Sequence, residues 1–284
     1  MNIRELLVHW HLAMHTKAWA SEQVLWEAIA DRGLTALDDA RQLADVAALA
    51  PLQQAWADHA WRNQAATLYR TQPMVTRLDA AYPPRLAESN QPPAVLFYQG
   101  DWAVLARLSL AVVGSRQAGR YTRQALVELG RELPALTVIS GLAAGADSFA
   151  HEYALSRGWP TVAVVANGLD QVYPAANRSL QAAIAQAGLL VSEYPLGVLP
   201  APFRFVARNR IIAGLAHGVL VTEAAAHSGS LITANYALQN NREVFALPNR
   251  VGEAQGVGTN ALIQAGAKLV QTGADLLEEL QFYP

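Results

Sequence analysis

Residues 110–121 read LAVVGSRQAGRY. An apolar β-branched run enters Gly114, and Gly119 follows five residues later. This is close to the dinucleotide fingerprint G-x-G-x-x-G, but its middle glycine is Arg116. In a dinucleotide site that glycine lets the pyrophosphate approach the backbone, and an acid ending the next strand takes the ribose hydroxyls. Here the next run, TVIS, ends in Ser140-Gly141 and carries no acid. Both departures argue against NAD or FAD, and no cofactor is expected. Amides at the start of the following helix still favour an anion, with Arg116 as a cation beside them.

Outward from this stretch the pattern repeats. Seven short apolar runs alternate with helical stretches: LAVVG, TVISG, TVAVVAN, LLVSEY, GVLVTEA, EVFALPN and KLVQT. The runs are continuous, as expected for strands covered on both faces. The pattern predicts an α/β fold with a doubly wound, mostly parallel sheet over residues 107–284, whose ligands bind at the carboxyl ends of the strands. Residues 1–70 read as a small all-helical domain. SEQVLWEAIADRG has Ser21 as N-cap and Gly33 past its end, and two further helical stretches follow at residues 35–49 and 51–69. Residues 71–106 form a proline-rich connector with one short strand at Val95–Tyr98.

The totals set limits. The 284 residues suffice for one or two domains with a sizeable core. Over half are apolar (52%) and only 15% charged, which fits a compact chain, not a disordered one. No apolar run reaches transmembrane length, and the start lacks the pattern of a secretory leader, so a cytoplasmic protein without membrane association is expected. Without cysteine there is no disulfide, thiol nucleophile or thiolate zinc site. His9, His11 and His15 lack a carboxylate completing a metal-ligand pattern, so no metal is expected.

Net charge is −2, yet residues 107–284 hold 13 basic against 12 acidic residues, and 19 of the 21 basic residues are arginine. Arginine suits planar, bidentate phosphate contacts. The strand ends carry the interest. SGLAAGADSFAHEY places Asp147 and His151 one helical turn apart, either as an acid–base couple or as a helix cap and a packing histidine. A loop following Glu193 interleaves Phe203 and Phe205 with Arg204, Arg208 and Arg210, the ingredients for stacking bases while holding phosphates. Ser228-Gly229-Ser230 precedes another helix and resembles an anion cradle.

The ordered set GSR, SGLAAGAD..AH, GLD..YP, SEYP, RNRIIAGL and EA...SGSLITA resembles the DprA/Smf family of DNA-processing proteins across about residues 75–275. The resemblance implies an extended Rossmann-like domain behind a small helical, SAM-like domain. It implies a non-enzymatic, homodimeric, sequence-tolerant binder of single-stranded DNA that protects DNA and loads the RecA recombinase during natural transformation. It assigns the DNA contacts to Gly114, Ser115, Arg116, Ser140, Gly141, Phe205, Arg208, Asn209, Arg210, Ser228, Gly229 and Ser230. Leu262 and Ile263 become candidate dimer contacts. The basic residue many relatives carry after YP is Ala175 here, which leaves Arg178 as its substitute. A C-terminal winged-helix domain, common in relatives, is not expected in this chain. The rival on the same fold is a phosphoribohydrolase-like nucleotide enzyme, but its PGGxGTxxE string is missing and Glu223 precedes SGS instead of following it. A third reading is an adaptor whose partner holds the DNA.

Overall fold

The structure is a computed structural model that describes the backbone of residues 1–14 and 19–280 and the side chains of 1–14 and 22–280. His15 lies outside the described residues. The helical region holds α1 (Ile3–Met14), α2 (Trp19–Asp31), α3 (Ala50–Trp56) and α4 (His59–Thr71). Ser21 sits inside α2 and does not cap it, whereas Gly33 does take the left-handed turn past its end, with φ of 61°. Residues 35–49, expected as a helix, form only two short 3-10 turns. Asp58 separates α3 from α4 because its carboxylate accepts from the Ala60 and Trp61 amides, starting a new helix.

Among the described residues nine strands form one sheet: β1 (Met74–Thr76), β2 (Val95–Gly100), β3 (Ser109–Val113), β4 (Thr137–Ser140), β5 (Thr161–Val165), β6 (Leu189–Ser192), β7 (Gly218–Val221), β8 (Glu243–Ala246) and β9 (Lys268–Leu269). Their order is β1-β2-β6-β5-β4-β3-β7-β8-β9, parallel from β6 to β9 and antiparallel at β1–β2 and β2–β6. All seven expected runs are strands. The connector differs from expectation: β1 and β2 extend the sheet beyond β6, so residues 71–106 belong to its edge. A connector dominated by prolines gave no alternation to reveal β1, only three residues long.

The remaining helices are α5 (Pro84–Ala87), α6 (Arg120–Gly130), α7 (Ala146–Ser156), α8 (Arg178–Ala187), α9 (Pro202–Leu215), α10 (Gly229–Gln239), α11 (Val257–Gln264) and α12 (Gly273–Leu280). Strand residues alternate between the two faces. Ala111, Val113, Val162 and Val164 pack with α9 and α10, while Leu110, Val112 and Val138 pack with α6, α7 and α12. The helical region packs against Phe97, Ala163, Val165 and Leu190 in a shared apolar core with α8. It is pinned to the sheet edge by an Arg4–Asp79 ion pair of 2.8 Å and by His11 Nε2, 2.7 Å from the Glu193 carbonyl oxygen. No helix among the described residues is long and apolar enough to cross a membrane.

Candidate nucleic-acid interface

From β3 the chain steps outward through β4, β5 and β6, then returns to place β7 on the other side of β3. The loops after β3 and β7 therefore diverge, opening the crevice that a doubly wound sheet offers to ligands. A cavity of about 700 Å³ lies there. Its walls come from the turn after β3, from α9 and from the turn into α10.

Gly114 is required by close packing. A Cβ there would lie 2.6 Å from Thr222 Oγ1 and 2.7 Å from the Ala146 Cβ. The following turn is satisfied internally. The Ser115 amide donates to the Glu223 carbonyl oxygen (2.7 Å), Gln117 N–H to Ser115 Oγ (3.0 Å) and Ala118 N–H to the Ser115 carbonyl oxygen (3.1 Å). At the start of α6, Gly119 N–H and the Thr122 hydroxyl donate to Glu223 Oε2 at 3.1 and 2.6 Å. The expected anion at the α6 amides is thus replaced by the chain's own carboxylate. What the turn presents outward is the exposed Arg116 side chain, its Cζ 5.3 Å from the Phe205 ring centroid. Phe205 in turn packs on Tyr173, with centroids 5.0 Å apart and planes inclined at 45°. A cation over a ring face is held by the ring's quadrupole.

The stretch holding Phe203 to Arg210, expected as a loop, is the helix α9. Pro202 stands in its first turn, where a missing N–H costs nothing. Helical spacing distributes the residues to different sides. Phe205, Arg208 and Asn209 line the cavity, and Asn209 Nδ2 donates to the Gly229 carbonyl oxygen at 3.3 Å. Arg208 is only 4% exposed and points inward. Its Nη1 donates to the carbonyl oxygens of Gly141 and of Val164 (2.5 Å for the latter), tying α9 to the ends of β4 and β5. Burial pulls its guanidinium down to about 10, against the pull of Asp147, so it stays charged at neutral pH. Gly141 makes room for it: a Cβ there would lie 2.2 Å from Arg208 Nη1. Ser140 is fully buried, its Oγ donating to the Val112 carbonyl oxygen at 2.6 Å.

Nine of the expected contacts line the cavity: Gly114, Ser115, Arg116, Phe205, Arg208, Asn209, Ser228, Gly229 and Ser230. Four do not. Ser140 and Gly141 lie beneath it as packing and hydrogen-bonding positions. Arg210 faces away and pairs with Glu193 at 2.6 Å, in a second, smaller cavity. Arg178 is exposed at the start of α8, outside both. Opposite Arg116, Ser228 Oγ accepts from Ser230 N–H and lies 2.8 Å from Ser230 Oγ. Gly229 lines the cavity with nothing within 4 Å of its would-be Cβ. Asp147 and His151 do not form the couple their spacing allows. Asp147 accepts from Ala143 N–H (3.3 Å), and burial raises its carboxyl above the usual range. His151 is buried with Nδ1 2.7 Å from Thr161 Oγ1, and burial holds it down to about 3, neutral. Leu262 packs partly into the core, and Ile263 is half-buried.

Two important residues carried no sequence signal of this kind. Tyr173 was visible only as part of the YP pair, and nothing local marks it as the partner of Phe205. Glu223 was read as an acid before SGS, whereas its role is fixed by a turn a hundred residues earlier.

Comparisons with known proteins find related sequences and structures. The family model described as DNA recombination-mediator protein A matches residues 73–281. The DNA processing protein DprA of Streptococcus pneumoniae is 44% identical over 211 residues, covering 74% of this chain and 75% of that protein. Protein Smf of Escherichia coli is 44% identical over 209 residues, 71% of this chain but 54% of its own length. Among solved structures, the S. pneumoniae DprA structure superposes with a TM-score of 0.88 at 35% identity, covering 98% of this chain and 99% of that one. A DprA from Helicobacter pylori, described for its single-stranded DNA binding mode, gives 0.66 at 31% identity over 75% of this chain and 97% of its own.

Proposed function

The chain belongs to the DNA recombination-mediator protein A family, and from that premise we propose that it binds single-stranded DNA without sequence preference in the β3/β7 crevice. One observation carries the reading: an exposed arginine, Arg116, set against a ring, Phe205, across from the Ser228–Ser230 turn, all lining one 700 Å³ cavity. A cation for phosphate beside an aromatic platform for bases is how single strands are gripped regardless of sequence. Every base has a π-face, so stacking tolerates any order. The relative from H. pylori, described as a single-stranded DNA binder, supports the same assignment.

The protein then acts by binding, as a cytoplasmic homodimer that protects the strand and hands it to the RecA recombinase. Dimer contacts fall near Ile263 and Leu262. This reading invokes no catalytic step, and the buried, neutral His151 faces Thr161 and not the cavity. Titration of fluorescent oligo-dT at two salt concentrations tests it. Binding should weaken as salt rises, and Arg116→Ala should weaken it further and reduce the log–log salt slope by about 0.7, the value for one phosphate contact on a single strand. Absence of any shift of bare oligonucleotide would leave the adaptor reading instead. Release of free base from nucleoside monophosphates would convert the protein into an enzyme. Incubation with RecA on coated DNA tests the handover, and the solution mass of the parent and of Ile263→Asp tests the dimer.

A further inference from the structure

We infer that the bound strand runs on from the crevice into a second groove, where Tyr121 carries a base and Arg120 and Arg250 hold phosphates; this rests on the single-strand reading above. The groove measures about 640 Å³ and lies between the start of α6 and the loop after β8. It shares a partition with the crevice. Ser115, Arg116 and Gln117 line the crevice, while Gly119 and Arg120, where that turn enters α6, line the groove. On the facing loop, Gln255 lines the crevice and Glu253 the groove. The two sides are joined by Gln255 Nε2, which donates to Gln117 Oε1 at 3.2 Å. That bridge is uncharged, so it does not repel a strand passing over it.

The groove repeats the two ingredients of the crevice. The first is cations. Arg120 and Arg250 are exposed and line it, and among the described residues neither guanidinium has an ion-pair or hydrogen-bond partner. Each keeps its fork of N–H donors for a phosphate's oxygens. Two acids share the wall. Glu223 is only 7% exposed, and its carboxylate is taken by the Gly119 N–H and the Thr122 hydroxyl. Glu253 is then the one exposed carboxylate of the groove, set against two arginines. The second ingredient is a ring. Tyr121 lines the groove and is 39% exposed, and its hydroxyl donates to the Pro248 carbonyl oxygen. A ring tethered at its far end gives up little freedom when a base stacks on it. A lone anion would use the arginines and leave the ring idle; a strand uses both, and stacking tolerates any base.

The test uses the full chain with oligo-dT of about 4 and about 16 nucleotides, the two ends of the usual range of single-strand sites, and with an abasic oligomer matching the longer one. Arg120 and Arg250 hold nothing in the fold, so the double variant Arg120→Ala, Arg250→Ala should keep the parent's urea midpoint. It should bind the short oligomer as the parent does. On the long one its log–log salt slope should fall by about 1.4, two phosphate contacts at about 0.7 each. Tyr121→Leu should weaken the long oligo-dT roughly five-fold or more, the loss expected for one stacked base, and leave the abasic oligomer's affinity unchanged. Parental affinity and slope on the long oligomer in both variants, or equal losses on the short and long ones, overturn the inference alone. A parent that binds no oligomer overturns the single-strand reading and the inference with it.

Discussion

The two turns flanking the switch point solve one problem in opposite ways. After β3, the amides of Ser115, Gln117, Ala118 and Gly119 are all taken by Glu223 and Ser115. The turn is closed, and what it offers is side chains, the Arg116 cation and the Gln117 amide. After β7, the turn into α10 stays open. Ser228 caps the helix through Ser230 N–H, while Gly229 faces the cavity unobstructed and its N–H has no partner among the described residues. One turn offers an exposed cation set against a ring; the other offers hydroxyls and an amide at a helix start. The difference teaches that a strand-to-helix turn shaped like a dinucleotide site need not bind phosphate through its backbone. An internal carboxylate can take that place and transfer recognition to a side chain.

The comparison breaks most sharply at arginine. Arg208 and Arg116 both line the crevice, but only Arg208 is built into the fold. Replacing Arg208 with alanine leaves the Gly141 and Val164 carbonyl oxygens unpaired in the interior and Asp147 without its nearby cation. The expected loss of stability is about 3 kcal/mol by urea denaturation. Arg116→Ala should leave the urea midpoint where it is and change only binding. Equal destabilisation by both variants would mean that Arg116 is structural and that the crevice lacks a free cation.

Phe205→Ala comes next. If a base stacks on this ring, its removal should cost about 2 kcal/mol of binding in the oligo-dT titration. Phe205 also rests on Tyr173, so some loss of folding stability is expected. A fall in stability with unchanged affinity per folded molecule would return Phe205 to the core.

Much of this contrast was legible in the sequence. Arg116 stood where a glycine belongs, and the runs that became β3 to β9 were continuous and β-branched. The buried strands β3 to β8 announce themselves because most of their residues are apolar, whereas the two-residue β9 is partly exposed. The side of a helix on which an arginine falls is not announced in the same way. RNR was one motif, yet α9 turns Arg208 into the interior and Arg210 toward Glu193. A loop was expected there because the stretch opens with YPLGVLPAP, rich in proline and glycine, and the 3.6-residue period is blurred where buried positions carry charge. Likewise the pairing of Glu223 with Gly119 and Thr122 spans about a hundred residues, and no local pattern encodes it. The connector's β1 was missed because three residues cannot establish a period.

Ser228→Ala sharpens the open turn. It removes the cap of α10, which should cost about 1 kcal/mol of stability. It also removes one hydroxyl from the cavity wall, so a few-fold weaker grip on oligo-dT is expected in the same titration. Stability lost without any change in affinity would make this turn a helix start and nothing more, and would leave Arg116 as the only phosphate contact of the pair.

The smallest effect tests the closed turn from within. Glu223→Gln keeps an oxygen that can accept from Gly119 N–H and the Thr122 hydroxyl, so the geometry survives. It deletes a negative charge from a helix N-terminus, worth about 0.5 kcal/mol of stability. It also deletes an anion held only a few residues from Arg116, beside the path of the DNA phosphates. Affinity for oligo-dT should therefore rise about two-fold at low salt, and the gain should vanish at high salt, where the Debye length shrinks to a few ångströms. The sign is the informative part. A carboxylate that merely fills the α6 turn repels the strand, and its neutralisation tightens binding. A carboxylate that holds the turn in its binding shape would give weaker binding on substitution, at every salt concentration.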